Sequence, residues 1–270
     1  MSITFGPAIK WSGSKRHQAS AILAHIPQEF GTYYEPFVGG GSVMYALSPE
    51  KGVAGDICVP LIGFWNTLKA DPAFLTESYR RDWEKLQEEG PDYYYKIRDR
   101  FNAEKKPEDL LFLSRTSFNG LIRFNDKGDF NAPFHHKRKG ITPDKLGEVL
   151  TSWSQRIQGM SFTVDDFRNL LSTAKEGDLV YLDPPYFNTK GMFYSKLNYK
   201  DLLDCLDELN RKGVKFILSY DGKQGDRDKT VDIPKELYKR HEFLYSGNSS
   251  FSRLRAKQNR VVYESLYMNW

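Results

Sequence analysis

The stretch YLDPPYF, residues 181 to 187, holds the residue types most suggestive of chemistry. An apolar run closes on an acid, Asp183, followed by Pro184, Pro185 and Tyr186. Two consecutive prolines have no backbone N–H to donate, so they end the strand before them. The carboxylate and the carbonyl of Pro184 are hydrogen-bond acceptors, and the tyrosine ring is a flat face for stacking. Such a trio suits a site that grips a flat, amine-bearing ring. It also suits a plain strand end followed by a turn.

A second candidate lies upstream. EPFVGGGS places Gly39, Gly40 and Gly41 after a strand and before a helix. Glycines let a ligand approach the backbone, and the helix start offers free N–H groups. The dinucleotide fingerprint G-x-G-x-x-G fails, because its last glycine would fall on Met44, and no G-K-[ST] phosphate loop follows. A ligand without phosphates, such as S-adenosylmethionine, fits better; an ordinary tight turn is the alternative. Asp56 ends the next strand and can accept from both ribose hydroxyls. It can equally cap the helix that follows it.

These residues need a frame. Residues 16 to 26 place Ala19, Ile22, Leu23 and Ile26 at helical spacing, TYYEPFV reads as a strand, VMYAL as a short helix stopped by Pro49, and GVAGD as a second strand. From about residue 60 to 120 the pattern is helical, with PEDLLFLSRTSFNG expected to run to Gly120. RFNDKGDFNAPF reads as a hairpin or loop around Lys127-Gly128. Strands return at DLVYLD, VKFILSY and RVVYESLY, with the helix YKDLLDCLDELNRKG between the first two. The fold class expected is α/β: a nucleotide-type core over 1–58 and 160–270, interrupted by a mainly helical insert over 59–159.

Composition narrows the classes. The chain has 270 residues, 40% hydrophobic and 27% charged, and its mean hydropathy is −0.59. No apolar run approaches the roughly 18 residues of a membrane span, and the N-terminus lacks a signal-peptide core. Cys58 and Cys205 are single and far apart, which offers neither a disulfide framework nor zinc spacing, so no metal is expected. A cytoplasmic setting follows. The net charge of +4 is compatible with nucleic acid without demanding it. Basic residues cluster at HHKRKG (135–140) and FSRLRAKQNR (251–260).

Six blocks, in order, carry a resemblance: KWSGSK (10–15), EPFVGGGS (35–42), GDI (55–57), FNGLIRFNDKGDFNAPF (118–134), DDF (165–167) and DPPY (183–186). The chain resembles the Dam-like, D12-class, alpha-group DNA adenine-N6 methyltransferases. DPPY alone also serves amino-methylation of other substrates; the FNGL-x-R-x-N…G-x-FN-x-P block is far more specific. The resemblance implies a Rossmann-like S-adenosylmethionine core with an inserted target-recognition domain. It matches Trp11, Lys15, Phe37, Gly39, Gly41, Asp56, Asp166, Phe167 and Asp183 to cofactor binding, with Lys15 suited to the cofactor's carboxylate. For Asp166 and Phe167 a capped helix start is the competing reading. Asp183, Pro184, Pro185 and Tyr186 match the catalytic motif.

The implied chemistry is demanding. The exocyclic amine of adenine is a poor nucleophile, and its base is inaccessible within a duplex, so it must be flipped out. The resemblance puts the compensating contacts in the insert. Phe118 would wedge into the stack, Asn119 would fill the gap, and Arg123 would read a guanine edge unless it pairs with Asp126 or Asp129. Leu121 and Pro133 match contacts to a neighbouring base pair, Asn125 belongs to the same block, and Lys10 would reach a flanking guanine. Lys137, Arg138 and Lys139 would hold phosphates. Retention of Leu121, Arg123 and Pro133 leans toward GATC. Double-stranded DNA is the expected partner, with a monomeric enzyme and a separate restriction endonuclease as a further possibility. Two rival readings are an amino-methyltransferase acting on RNA or protein glutamine, and a decayed DNA-binding module.

Overall fold

A computed structural model describes residues 5–137, 139–185, 197–248 and 261–270. Five short strands form a parallel sheet: β1 (Tyr33–Glu35), β2 (Gly52–Asp56), β3 (Met160–Val164), β4 (Leu179–Leu182) and β5 (Lys215–Gln224). The two-residue β6 (Arg227–Asp228) pairs with the end of β5, and β7 (Arg240–Asn248) and β8 (Val261–Met268) extend the sheet antiparallel. The order is β3-β2-β1-β4-β5-β8-β7. Strand order therefore reverses between β1 and β4. In open α/β sheets that reversal opens a crevice at the carboxyl ends of the strands, where ligands bind.

Alternating side chains fill both faces of this Rossmann-like sheet. Tyr33, Tyr181 and Ile217 point into one apolar cluster, and Tyr34, Val180, Leu182, Phe216 and Leu218 into the other. The first cluster receives α1 (Ala19–Leu23), α2 (Ser42–Leu47) and the helices between β2 and β3; the second receives α8 (Phe167–Ser172) and α9 (Tyr199–Arg211). Between β2 and β3 run α3 (Val59–Ala70), α4 (Pro72–Glu89), α5 (Pro91–Glu104), α6 (Pro107–Thr116) and α7 (Pro143–Arg156). Proline opens α4, α5, α6 and α7, where its missing N–H costs nothing and its fixed φ is already helical. Arg100 of α5 pairs with buried Asp82 of α4 at 3.1 Å and with buried Asp109 of α6, which ties the three helices together. α3 packs on β2 and β3 as well as on α6 and α7.

Several elements differ from expectation. The helix expected over residues 16 to 26 shrinks to five residues, because Lys15 is drawn into the crevice and turns precede Ala19. Pro36 cuts the strand TYYEPFV to β1. The helix expected to reach Gly120 stops at Thr116, and Phe118–Gly120 forms a separate 3-10 turn with Asn119 at φ 55°. β3 and β7 were not anticipated. β3 is only five residues long, and β7 is an edge strand whose half-exposed, polar-rich sequence RHEFLYSGN carries no apolar run.

Candidate active site

A cleft of about 570 Å³ opens at the carboxyl ends of the parallel strands, within the range usual for small-ligand sites. Its floor is the glycine turn after β1. Gly39 and Gly41 have φ of 42° and 60°, conformations that side chains rarely adopt. A Cβ on Gly39 would sit 2.8 Å from the Trp11 ring, and one on Gly41 would sit 2.7 Å from Met44 and 3.0 Å from Trp65. The Trp65 indole N–H donates to the Gly39 carbonyl at 3.2 Å, which holds the turn open. Trp11 thus packs over the turn while also lining the cleft.

Phe37, Asp56, Ile57, Asp166 and Phe167 line the same end. Phe37 and Phe167 lie 5.2 Å apart, and Ile57 is 40% exposed directly after the strand-ending acid. Asp56 accepts from the Cys58 N–H at 3.0 Å, so it supports the start of α3 as well as facing the cleft. Burial pushes its carboxyl up to about 6, against the pull of neighbouring backbone N–H groups. Asp166 caps α8, accepting from the Arg168 N–H at 2.9 Å and pairing with the Arg168 guanidinium at 2.8 Å. The capped helix start and the cleft wall are therefore the same residues.

At the crevice centre, Lys15 is only 4% exposed and its ammonium lies 2.6 Å from Asp183 and 3.3 Å from Glu264 of β8. In this structure Lys15 meets the acid of the proline motif, whereas the contact expected for it was the cofactor's carboxylate. Burial pushes Asp183 up to about 6, while the Lys15 ammonium pulls it down and Glu264 adds to the rise. Glu35, at the end of β1, is buried and accepts from the Tyr33 hydroxyl at 2.7 Å. Burial pushes its carboxyl up to about 8, against the Tyr33 hydrogen bond and helped by the charge of Asp183. Pro184 and Pro185 follow Asp183 along the cleft wall. Tyr186 lies outside the described residues.

Two acids, Asp183 and Glu264, face one lysine, Lys15, which leaves the centre of the pocket short of positive charge. A cationic ligand would relieve that imbalance, and buried acids are tolerated only when paired or neutralised. S-adenosylmethionine carries a sulfonium and an ammonium, and the donor set fits it: acids at the centre, a glycine turn without side chains, an apolar wall and Asp56 for ribose. Glu35, Ile57 and Glu264 were not singled out from sequence. An exposed apolar residue next to a strand-ending acid is the signal that would have found Ile57; Glu264 sits in a strand 81 positions from Asp183 with no motif around it. Among the described residues no group of His, Cys, Asp or Glu is arranged to hold a metal ion, and no helix is long and apolar enough to cross a membrane.

The hairpin block lies beside the cleft, since Phe124 lines it. Phe118 is 46% exposed and stacks on His135. Asn119 is held in the left-handed region, and Gly120, at φ 67°, leaves room for the Lys10 stem, which a Cβ there would meet at 2.4 Å. Lys10 therefore joins the hairpin to the segment that carries Trp11 and Lys15. Leu121 is half-buried and Pro133 exposed, its carbonyl accepting from the Phe118 N–H at 2.8 Å. Arg123 is exposed and hydrogen-bonds to Asn131, not to Asp126 or Asp129, the acids of the alternative ion-pair reading. The Asn125 side-chain oxygen accepts from the N–H groups of Lys127 and Asp129, both at 2.9 Å, so it closes the turn. Lys137 and Lys139 are exposed, and Arg138 lies outside the described residues.

The chain is similar to known proteins along most of its length. A family model for D12 class N6 adenine-specific DNA methyltransferases matches residues 11–259. The type II methyltransferase M1.LlaDCHI of Lactococcus lactis subsp. cremoris is 29% identical over 88% of this chain and 86% of its own. The type II methyltransferase M.MjaIII of Methanocaldococcus jannaschii is 31% identical over 79% of this chain and 83% of its own. A DNA adenine methylase of Haemophilus influenzae is 32% identical over 67% of this chain and 63% of its own. Because the family match runs from Trp11 through the glycine turn, the hairpin block and the proline motif, the chain belongs to the D12 class of N6 adenine-specific DNA methyltransferases, enzymes that use S-adenosylmethionine to methylate adenine in DNA.

Proposed function

We propose that this enzyme methylates an adenine flipped out of duplex DNA within one short fixed site, with Asp183 and the Pro184 carbonyl as the acceptors of its amine. The observation that carries the reading is the buried Lys15–Asp183 pair, at 2.6 Å, in the same cleft as the glycine turn and beside the hairpin block. When bound, S-adenosylmethionine supplies a methyl group already activated on a sulfonium. The chain's own residues hold the amine in line with it, and alignment of this kind is worth up to ~7–11 kcal/mol in ideal systems. Asp183 accepts one N6–H and the Pro184 carbonyl the other, favouring a pyramidal nitrogen and the positive charge that develops on it. Lys15 keeps Asp183 ionised near neutral pH. Tyr186 and Pro185 complete the motif, the tyrosine as a stacking face for the base.

The cofactor's methionine end lies toward Lys15, Gly39 and Gly41, its ribose on Asp56, and its adenine between Phe37, Asp166 and Phe167. Residues 1–58 and 160–270 form the catalytic domain, and 59–159 form the target-recognition domain. Phe118 and Asn119 hold the duplex open; Lys10, Leu121, Arg123, Asn125 and Pro133 contact bases or their flanks; Lys137, Arg138 and Lys139 contact phosphates. GATC is the proposed site. The enzyme acts as a monomer in the cytoplasm, and the type II names of two relatives support a companion restriction endonuclease.

Labelled S-adenosylmethionine and unmethylated genomic DNA, followed by single-molecule mapping of N6-methyladenine, test the reading. Methylation at one motif, lost in Asp183→Ala, is the expected result. Methylation at a motif other than GATC would revise the site alone. No transfer to DNA by a folded, cofactor-binding protein would overturn the proposal.

A further inference from the structure

The hairpin block contains an asparagine, Asn131, that the roles above leave without a task. Burial alternates along both limbs: Ile122 and Phe124 on one, Phe130, Ala132 and Phe134 on the other, are all buried, while Arg123 and Pro133 are exposed. The Asn131 N–H donates to the Arg123 carbonyl at 2.9 Å, so the two residues face each other across the hairpin. Their side chains leave on the same outward face.

There the guanidinium is held twice. Arg123 Nε–H donates to the Asn131 side-chain oxygen at 2.7 Å, and Nη2–H donates to the Asn131 main-chain carbonyl at 2.9 Å. A guanidinium is planar and offers two edges, one formed by Nε and Nη2 and one by Nη1 and Nη2. Asn131 takes the first edge with two oxygens and thereby fixes the plane. The second edge is left pointing away from the limb, and it carries the two parallel donors that guanine O6 and N7 require. The limb itself is clamped to α5: Phe130 N–H donates to the Asn102 side-chain oxygen at 2.8 Å, and the Asn102 amide donates back to the Phe130 carbonyl at 3.1 Å. Two acids lie in the same turn, Asp126 and Asp129, and Asp129 faces Lys105 at 3.7 Å. A carboxylate partner would neutralise the guanidinium and compete with the base. A neutral amide orients the group and leaves its charge for DNA.

We propose that Asn131 is a specificity-setting positioning residue, which locks Arg123 so that one defined edge meets a guanine. The proposal rests on the reading of Arg123 as a base contact, and the experiment separates the two. The probes are short duplexes carrying the motif found by methylation mapping, and duplexes with one base pair of it changed at a time. The readout is the ratio of kcat/KM on the motif to kcat/KM on each changed duplex.

Arg123→Ala should lower that ratio roughly 5- to 150-fold at one position only. Asn131→Ala should lower it roughly 2- to 12-fold at the same position, the cost of ordering a freed arginine on binding. Asn131→Asp keeps the acceptor and should restore the ratio while weakening DNA binding at every sequence. The double variant should be no less selective than Arg123→Ala alone. Unaltered thermal unfolding of Asn131→Ala guards against a folding effect, and Asn131→Leu, of similar size and without the side-chain acceptor, takes its place if that variant fails to fold. If Arg123→Ala changes selectivity but Asn131→Ala lowers kcat/KM equally on all duplexes, the positioning role is refuted and the base contact stands. If Arg123→Ala changes no ratio, the base contact fails and the positioning role with it.

Discussion

Glu35→Gln should stabilise the cofactor-free protein, and increasingly so as pH rises. The Glu35 side chain is 2% exposed at the end of β1 and accepts from the Tyr33 hydroxyl at 2.7 Å. Burial pushes its carboxyl from 4.5 up to about 8. The unfolded chain therefore gives up this proton near pH 4.5, whereas the folded chain keeps it until about pH 8. Between those values the folded state binds more protons than the unfolded one, so stability falls as pH rises, by about 1.4 kcal/mol per pH unit. At about pH 7.5 the accumulated cost is on the order of 4 kcal/mol, a large share of a typical folding free energy. Glutamine has nearly the same shape, accepts the same Tyr33 hydrogen bond and has no proton to lose. The difference between variant and wild type should thus be near zero below pH 4.5 and grow to a few kcal/mol by about pH 7.5. Asp56 and Asp183, each pushed up to about 6, contribute pH dependence of the same sign, but they are common to both proteins and cancel in the comparison. Urea unfolding of both proteins across this range measures it. A difference that stays constant with pH, or a variant less stable at neutral pH, would refute the account of a buried neutral acid.

The other expectations are narrower. Methyl transfer should fall as pH drops through about 6, where Asp183 takes up a proton and no longer stabilises the charge that develops on the amine, and a pH profile of kcat/KM, which reports the free enzyme, reads this. Lys15→Met should move that acid limb to higher pH, since the lysine pulls Asp183 down; an unmoved limb would assign it to another group. Asp183→Asn should cost roughly 100-fold or more in kcat at saturating cofactor, and also weaken cofactor binding, by calorimetry alongside kinetics. Gly41→Ala should lower stability by about 1–3 kcal/mol, because it combines φ 60° with a Cβ 2.7 Å from Met44, and thermal unfolding with and without cofactor would register effects on both folding and binding. Removing the charges of Lys137 and Lys139 should flatten the dependence of DNA affinity on salt, by about 0.9 in the log–log slope for each phosphate that is no longer neutralised, without altering site preference.

The chemistry-bearing segments were readable in the linear chain because they are local. A strand that ends in an acid and two prolines, a glycine triplet, and a block with three FN pairs each announce themselves within a few residues. The α/β class and the helical stretch between β2 and β3 followed from periodicity, which is also a local property. Element ends were less legible where a tertiary contact set them: α1 is cut short by the burial of Lys15, and α6 ends where Ser117 turns extended and bridges to Phe134. β7 was invisible because an edge strand needs no continuous apolar run; pairing with β8 defines it.

Partnerships between distant residues were decided by the fold alone. Lys15 and Asp183 are 168 positions apart and meet only because β1 and β4 are neighbours at the reversal of strand order. Glu264 joins them from the antiparallel β8. The same holds for protonation: nothing in the letters EPF says that Glu35 is held near pH 8, since that follows from its removal from water beneath the cleft. In the hairpin the residue types were evident from order along the chain, but the choice of a neutral amide over two nearby acids as partner of Arg123 is a matter of which side chains share a face. Sequence order specifies which groups are present and in what local geometry; the distance, burial and charge of their neighbours, which set acidity and orientation, exist only once the sheet brings its strands together.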